Sequence, residues 1–378
     1  MKQIYLDYNA TTPVSSYVLD AMMPFLREHH GNPSSSHAAG RVAHEAVEVA
    51  REEVAAALGA AAEDIFFTSG GTESNNLAIQ GVMLQHAPGA GSHLVISNFE
   101  HPAVSAPAAH LKRMGYEVTE VPCDKNGVVQ VEAVEQALRD DTVLVSIMHA
   151  NNEVGTLQPI AQIGELCRGR GTLLHTDAAQ SVGKVRTFVD EMNVDLLTLA
   201  GHKIYGPKGV GALYVRPGVS VDPVFHGAGH ERGLRPGTEN VASIAGLGKA
   251  MQLAQRSLSE SSDRLAGLRD RLANQLIKVL GDEAKVHGGQ AARLPNTLSI
   301  VFPRVQGASL LARAPDICAS TGSACHENGT TISSTLAALG VTPGEAAGTV
   351  RLSVGWYTSE EEIDWASDSL LSAWESLI

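Results

Sequence analysis

A lysine set between glycines just beyond an apolar strand, Gly201-His202-Lys203-Ile204-Tyr205-Gly206-Pro207-Lys208-Gly209, has the setting of an amine nucleophile. Drawn into a desolvated strand end, such an amine loses basicity and suits Schiff-base formation. Most lysines are merely surface charge, but the glycines on both sides argue for close packing around Lys203. A second run, Thr68-Ser69-Gly70-Gly71-Thr72-Glu73-Ser74-Asn75-Asn76, stands between a strand and a helix-like segment. Its glycines allow close backbone approach, and the helix start offers free N–H groups to an anion such as phosphate. An ordinary strand-to-helix turn reads the same way. In a third run, His175-Thr176-Asp177-Ala178-Ala179-Gln180, Asp177 closes a buried strand. There it needs a cationic partner, such as a protonated pyridine nitrogen, or else caps a helix start. The fourth run, Ala319 to Gly329, is small and polar around Cys325-His326. Small residues would let the thiol travel to a substrate, and His326 could help to form the thiolate. A buried inert cysteine fits such polar surroundings poorly.

The elements that must position these runs alternate in period. Helix-like segments are expected over Val42 to Leu58, Leu77 to Leu84, Ala103 to Met114 and Ile160 to Arg168. Between them lie strand-like runs at Ile65 to Thr68, His93 to Ser97, Glu117 to Val121, Val143 to Met148, Thr172 to His175 and Asp195 to Leu199. Near-continuous apolar strands of this kind are those of a mostly parallel sheet covered on both faces, with ligands at the carboxyl strand ends. Farther on, Leu265, Leu268, Leu272, Leu276 and Val279 form one helical stripe, followed by strands Thr297 to Phe302 and Val350 to Val354. A last helix begins at Ser359, with Glu362 at capping-box spacing and Ile363, Leu370, Trp374 and Leu377 as its apolar positions.

A chain of 378 residues exceeds what one hydrophobic core usually serves, so two domains and a cleft are expected. The net charge of -13, with no Lys/Arg-rich stripe, argues against direct nucleic-acid binding. No run of about 18 apolar residues occurs, so no membrane span is expected. Met1 to Asp7 lacks the apolar segment of a signal peptide, which makes a cytoplasmic location the expectation. The four cysteines form no Cys-x-x-Cys pair, so neither a disulfide framework nor a metal site is expected, and Cys123 and Cys167 read as small hydrophobes.

Together with Asp7-Tyr8-Asn9-Ala10-Thr11-Thr12-Pro13, Gly31-Asn32-Pro33-Ser34-Ser35, Glu100-His101, Asn151-Asn152-Glu153-Val154-Gly155, His230-Glu231-Arg232 and Arg235-Pro236-Gly237-Thr238, these runs resemble, in order and over nearly the whole chain, the cysteine desulfurase and selenocysteine lyase family. That family belongs to the class V aminotransferase-like, fold-type I pyridoxal-phosphate enzymes. The resemblance implies an α/β fold: a large domain with a mostly parallel, seven-stranded type of sheet between helices, and a smaller α+β domain. Residues 15–255 are expected to form the first, and residues 1–14 with 256–378 the second.

Pyridoxal 5'-phosphate is the implied cofactor, with Lys203 as its Schiff-base lysine, Asp177 on the pyridine nitrogen and His101 stacked on the ring. Gly71, Thr72 and His202 would serve the phosphate, Asn152 and Gln180 the ring substituents, and Thr238 the phosphate of a neighbouring subunit in a homodimer. Arg351, with Asn152, would bind the substrate carboxylate, a task suited to a planar fork. Cys325 falls on the catalytic cysteine. The implied reaction takes L-cysteine to L-alanine and leaves a persulfide on Cys325 for an acceptor protein; iron-sulfur cluster assembly is one compatible pathway.

The chain departs from the family at Ala200, where many desulfurases have a serine, at Gly227-Ala228-Gly229, and at Trp356, which replaces an arginine. Cys325-His326 resembles selenocysteine lyases more than the Cys-Thr-Ser of common desulfurases, so L-selenocysteine is the alternative substrate. A class V aminotransferase would leave the run around Cys325 unexplained, and an inactive scaffold would not be expected to retain Lys203 and Cys325.

Overall fold

A computed structural model describes residues 3–89, 92–326 and 329–378, with the backbone alone for 323–326 and 329–331. The expectations placed on the side chains of Cys325 and His326 therefore fall outside the described residues.

A seven-stranded sheet forms the larger layer. In spatial order its strands are Ile65–Thr68, Gly211–Val215, Leu196–Ala200, Leu173–Asp177, Thr142–Ser146, His93–Ser97 and Glu117–Val121. Gly211–Val215 runs antiparallel to both of its neighbours and the remaining pairs are parallel. The apolar runs owe their continuity to burial on two faces. Val95 packs into one core with Leu174, Leu197 and Leu199, while Leu94, Ile96 and Leu196 pack into another on the opposite side. Helix Ala38–Leu58, capped by His37 and ended by left-handed Gly59, covers the first face; Gly71–Met83 and Pro102–Arg113 cover the second.

Helix Gly71–Met83 starts well before the expected Leu77. Its first turns, Thr72 to Asn76, carry polar groups, of which Thr72 and Asn75 line a cleft, so apolar periodicity does not reveal them.

A third core gathers Ile4, Leu6, Leu298, Ile300, Val350, Leu352, Ile363, Leu370 and Trp374. It surrounds an antiparallel sheet in the order Ser320–Thr321, Thr349–Ser353, Thr297–Val301. The 40-residue helix Val241–Leu280 joins the two regions: Ile244 to Met251 belong to the first core, and Leu265 to Leu280 to the third. Val279, expected on the apolar stripe, is instead 47% exposed, and Leu280 is buried in that last turn, where the helix leaves the covered region. Ser359 and Glu362 form the expected capping box. Among the described residues no helix is long and apolar enough to cross a membrane.

Strand Ser323–His326, which carries Cys325, pairs with Gly329–Ile332 in a separate two-stranded sheet, with Cys325 opposite Thr330.

Candidate active site

The carboxyl ends of the parallel strands open onto a cleft of about 450 Å³. Gly71, Thr72, His101, Asn152, Asp177, Gln180, His202, Lys203 and Arg351 all line it. The cleft thus unites every site residue expected from the sequence except Thr238 and the undescribed Cys325 side chain.

Lys203 ends the short turn Gly201–Lys203 after strand Leu196–Ala200. Its Nζ donates to the carbonyls of Asn9 at 2.6 Å and Ala10 at 2.9 Å. Burial, assisted by the nearby Arg351 charge, pushes its pKa down to about 8. Two residues on, Tyr205 adopts φ 64°, a left-handed conformation costly for a bulky side chain. The surroundings hold it there: Tyr205 N–H donates to Thr12 Oγ1 at 2.8 Å, its hydroxyl accepts from Trp356 N–H at 2.6 Å, and its ring stacks on Trp356 at 3.8 Å. Trp356, found where the family has an arginine, therefore braces the lysine turn.

Asp177 closes its strand with both carboxylate oxygens oriented. Oδ2 accepts from Asn75 Nδ2 at 2.7 Å, and Oδ1 accepts from Ala179 N–H at 2.9 Å. The chain beyond it turns rather than entering a helix, so the capping alternative survives only as the cap of a turn.

His101 caps helix Pro102–Arg113, its Nδ1 accepting from Ala103 N–H at 3.0 Å, which leaves the ring proton on Nε2. The ring is open to solvent on one side, yet desolvation by the atoms behind it lowers its pKa. His202 lies within hydrogen-bond reach of Thr11 Oγ1, and burial, then the Lys203 charge, pushes it down to about 4. Both imidazoles are therefore neutral at pH 7.

Gly71 and Thr72 are the first residues of helix Gly71–Met83. N–H groups in a helix's first turn have no intrahelical partner and face an anion favourably. Gly70 caps this helix at φ 142°, a backbone that glycine alone adopts easily.

Three groups without an assigned role from the sequence support the site: Asn9 and Asn75 in the wall, and Lys184 behind Gln180. Asn9, 1% exposed, gives its carbonyl to both Lys203 Nζ and Gln180 Nε2, and its side chain reaches Asn152 O and Thr297 Oγ1. Asn75 orients Asp177. Lys184, also buried, donates to Gln180 O at 3.0 Å and Gln180 Oε1 at 3.1 Å, fixing that amide. Burial, followed by the Lys203 and Arg351 charges, lowers the Lys184 pKa to about 7. Asn9 and Asn75 lie in the motif runs quoted above, but side-chain partners so far apart in sequence leave no local signal.

Thr238 is exposed and outside this cleft. Its loop is tied down by Arg235, whose Nε donates to Glu73 Oε1 at 2.8 Å.

The family described as Aminotransferase class-V matches residues 4–365. A protein named cysteine desulfurase IscS from Dictyoglomus turgidum is 44% identical over 371 residues, covering 98% of this chain and 94% of that one. Another of that name, from Histophilus somni, is 47% identical over 379 residues, covering 99% and 93%. Among solved structures, a NifS-like protein superposes with a TM-score of 0.91 at 39% identity, covering 99% of both chains. One described as SspA in complex with cysteine gives 0.83 at 37% identity, covering 94% of this chain and 99% of that one.

Proposed function

The chain belongs to the aminotransferase class-V family, and we infer that it is a cysteine desulfurase, an enzyme that uses pyridoxal 5'-phosphate to convert L-cysteine to L-alanine while its sulfur passes to Cys325. The single observation that carries this reading is one cleft lined by an amine of depressed basicity, a paired carboxylate and a helix start.

This donor set suits the cofactor. Lys203 would take its aldehyde, Asp177 its pyridine nitrogen, His101 its ring face and Gln180 a ring substituent. Gly71, Thr72 and His202 would take its phosphate; Ala200 offers no hydroxyl there. When bound, the group supplies an electron sink for negative charge developing at the substrate Cα. Asp177, its oxygens fixed by Asn75 and Ala179, would present its carboxylate to the nitrogen end of that group. Lys203, with a pKa near neutrality, takes and returns the Cα proton. Arg351, with Asn152, holds the substrate carboxylate. Cys325 thiolate attacks the substrate sulfur; the new S–S bond forms as the Cβ–Sγ bond breaks. The electron pair stays with the three-carbon fragment, which leaves as alanine after protonation.

The proposed division is a large domain of residues 15–255 and a small one of residues 1–14 and 256–378. The proposed assembly is a cytoplasmic homodimer in which Thr238, exposed on its pinned loop, serves the neighbouring phosphate. A sulfur-acceptor protein would relieve Cys325 of its persulfide.

A second reading, selenocysteine lyase, is favoured by the Cys325-His326 pair. The test is turnover of both substrates by purified protein, measuring alanine with sulfide or selenide. Alanine from L-cysteine at a rate comparable with or above that from L-selenocysteine supports desulfurase. Alanine from L-selenocysteine alone establishes the lyase, and alanine from neither refutes both.

A further inference from the structure

Arg351 is held in the cleft by partners on three sides. Its Nη2 donates to Asp7 Oδ1 at 2.7 Å and to Ser320 Oγ at 2.9 Å, and its Nη1 to the Asn152 carbonyl at 3.1 Å. Ser320 Oγ donates in turn to the same Asp7 oxygen at 2.9 Å, closing a triangle. The backbone dictates this arrangement: Ser320 lies directly opposite Arg351 on antiparallel strands, and Asp7 bridges to Ser353 farther along the same edge of the arginine strand, whose other edge is paired with Thr297–Val301. The Arg351 Nε proton is buried and has no partner among the described residues.

A guanidinium can hold a carboxylate with two parallel hydrogen bonds on either of two edges, Nε with Nη2 or Nη1 with Nη2. Both edges include Nη2, the atom already engaged by Asp7 and Ser320. A substrate carboxylate gripped in this way must therefore displace one of them. Ser320, a neutral acceptor, is the weaker partner and is the one to give way, while the Asp7 carboxylate continues to orient the fork. Asp7 also pairs with Arg351 where the arginine charge reaches both Lys203 and Lys184. Ser320 in turn belongs to the short strand Ser320–Thr321, immediately before the strand Ser323–His326 that carries Cys325.

We propose that Asp7 is a positioning residue that orients Arg351 for the substrate carboxylate and, through Ser320, links carboxylate binding to the chain leading into the cysteine hairpin. This rests on the reading of Arg351 as the carboxylate-binding residue.

The test uses holoenzyme variants Asp7→Asn, Ser320→Ala and Arg351→Lys. Three quantities are measured: kcat and KM for L-cysteine, and the rate of Cys325 alkylation by iodoacetamide, followed by peptide mass, with and without L-alanine. In the unaltered enzyme L-alanine, which carries the carboxylate, is expected to change the alkylation rate. Asp7→Asn should raise KM roughly tenfold to a hundredfold, with a smaller change in kcat, and abolish the response to L-alanine. Ser320→Ala should largely preserve KM and abolish the same response. If Arg351→Lys leaves KM unchanged, the carboxylate reading itself fails. If Arg351→Lys raises KM while Asp7→Asn alters neither KM nor the L-alanine response, the positioning role is overturned. Cofactor absorbance and melting temperature verify that Asp7→Asn is folded; if it is not, an undiminished L-alanine response in Ser320→Ala overturns the proposal.

Discussion

The cleft and the cysteine hairpin are built on opposite principles. Three polar groups at the cleft floor are each oriented by neighbours: Lys203 by two carbonyls, Asp177 by Asn75 and Ala179, and Gln180 by Asn9 and Lys184. Asn9, Asn75 and Lys184 are themselves buried, where side chains have little freedom. The strand bearing Cys325 belongs instead to a two-stranded ribbon outside both larger sheets. An isolated pair of strands is marginally stable in water. Under the proposed function the difference separates two tasks: holding a cofactor requires fixed geometry, whereas handing sulfur from substrate to acceptor requires a nucleophile on an element of its own.

Substitution on each side is the sharpest way to break this contrast. Lys203→Ala should lower desulfuration by about 10²–10⁴-fold or more and abolish the imine absorbance. Cys325→Ala should lose sulfide release from L-cysteine to a similar degree while keeping that absorbance. Loss of cofactor colour in the cysteine variant would erase the distinction. Asp177→Asn removes a charge without changing shape, and cofactor affinity should fall by roughly tenfold to a hundredfold, read by absorbance titration of the apoprotein. Rapid mixing of apoprotein with pyridoxal phosphate sharpens the lysine's part. Only the neutral amine reacts, so the combination rate should climb as pH passes about 8, where Lys203 loses its proton.

Glu100 offers a smaller effect in the cleft's foundations. Its Oε1 accepts from Ser97 Oγ and Met148 N–H, while buried Oε2 has no partner among the described residues. Burial, reinforced by Asp177, raises its pKa from 4.5 to about 8. Because the folded pKa lies above the unfolded one, the folded state binds the proton more tightly. Its contribution to stability is complete below pH 4.5 and is lost as pH rises through about 8. Glu100→Gln, permanently neutral, should flatten the fall in melting temperature across this window. The smallest expected effect belongs to Ala200→Ser, which restores a hydroxyl beside the phosphate end and should tighten cofactor binding by about 1 kcal/mol.

Much of the cleft was legible because strand ends carry local signatures: glycines around Lys203, the glycine pair at Gly70 and Gly71, and an acidic residue closing the run at Asp177. The strands themselves were legible because burial on two faces makes them apolar without interruption. The first turns of helix Gly71–Met83 were not, because residues that face a polar cleft lack the apolar period by which a helix is recognised. Nor was the Asp7–Arg351 pair, whose partners stand 344 residues apart and meet only through the sheet that joins the two ends of the chain. Trp356 read as a missing cation, and its stacking on Tyr205 became evident only once the left-handed turn after Lys203 was in place.

The central claim, that the cleft prepares a sulfur atom which the hairpin cysteine then accepts, is tested most directly by the mass of the Cys325 peptide after a brief incubation of the holoenzyme with L-cysteine. The expected result is one added sulfur on Cys325 and none on the same peptide from Lys203→Ala. An unmodified Cys325 in an enzyme that is releasing alanine, or the same added sulfur without Lys203, would contradict it.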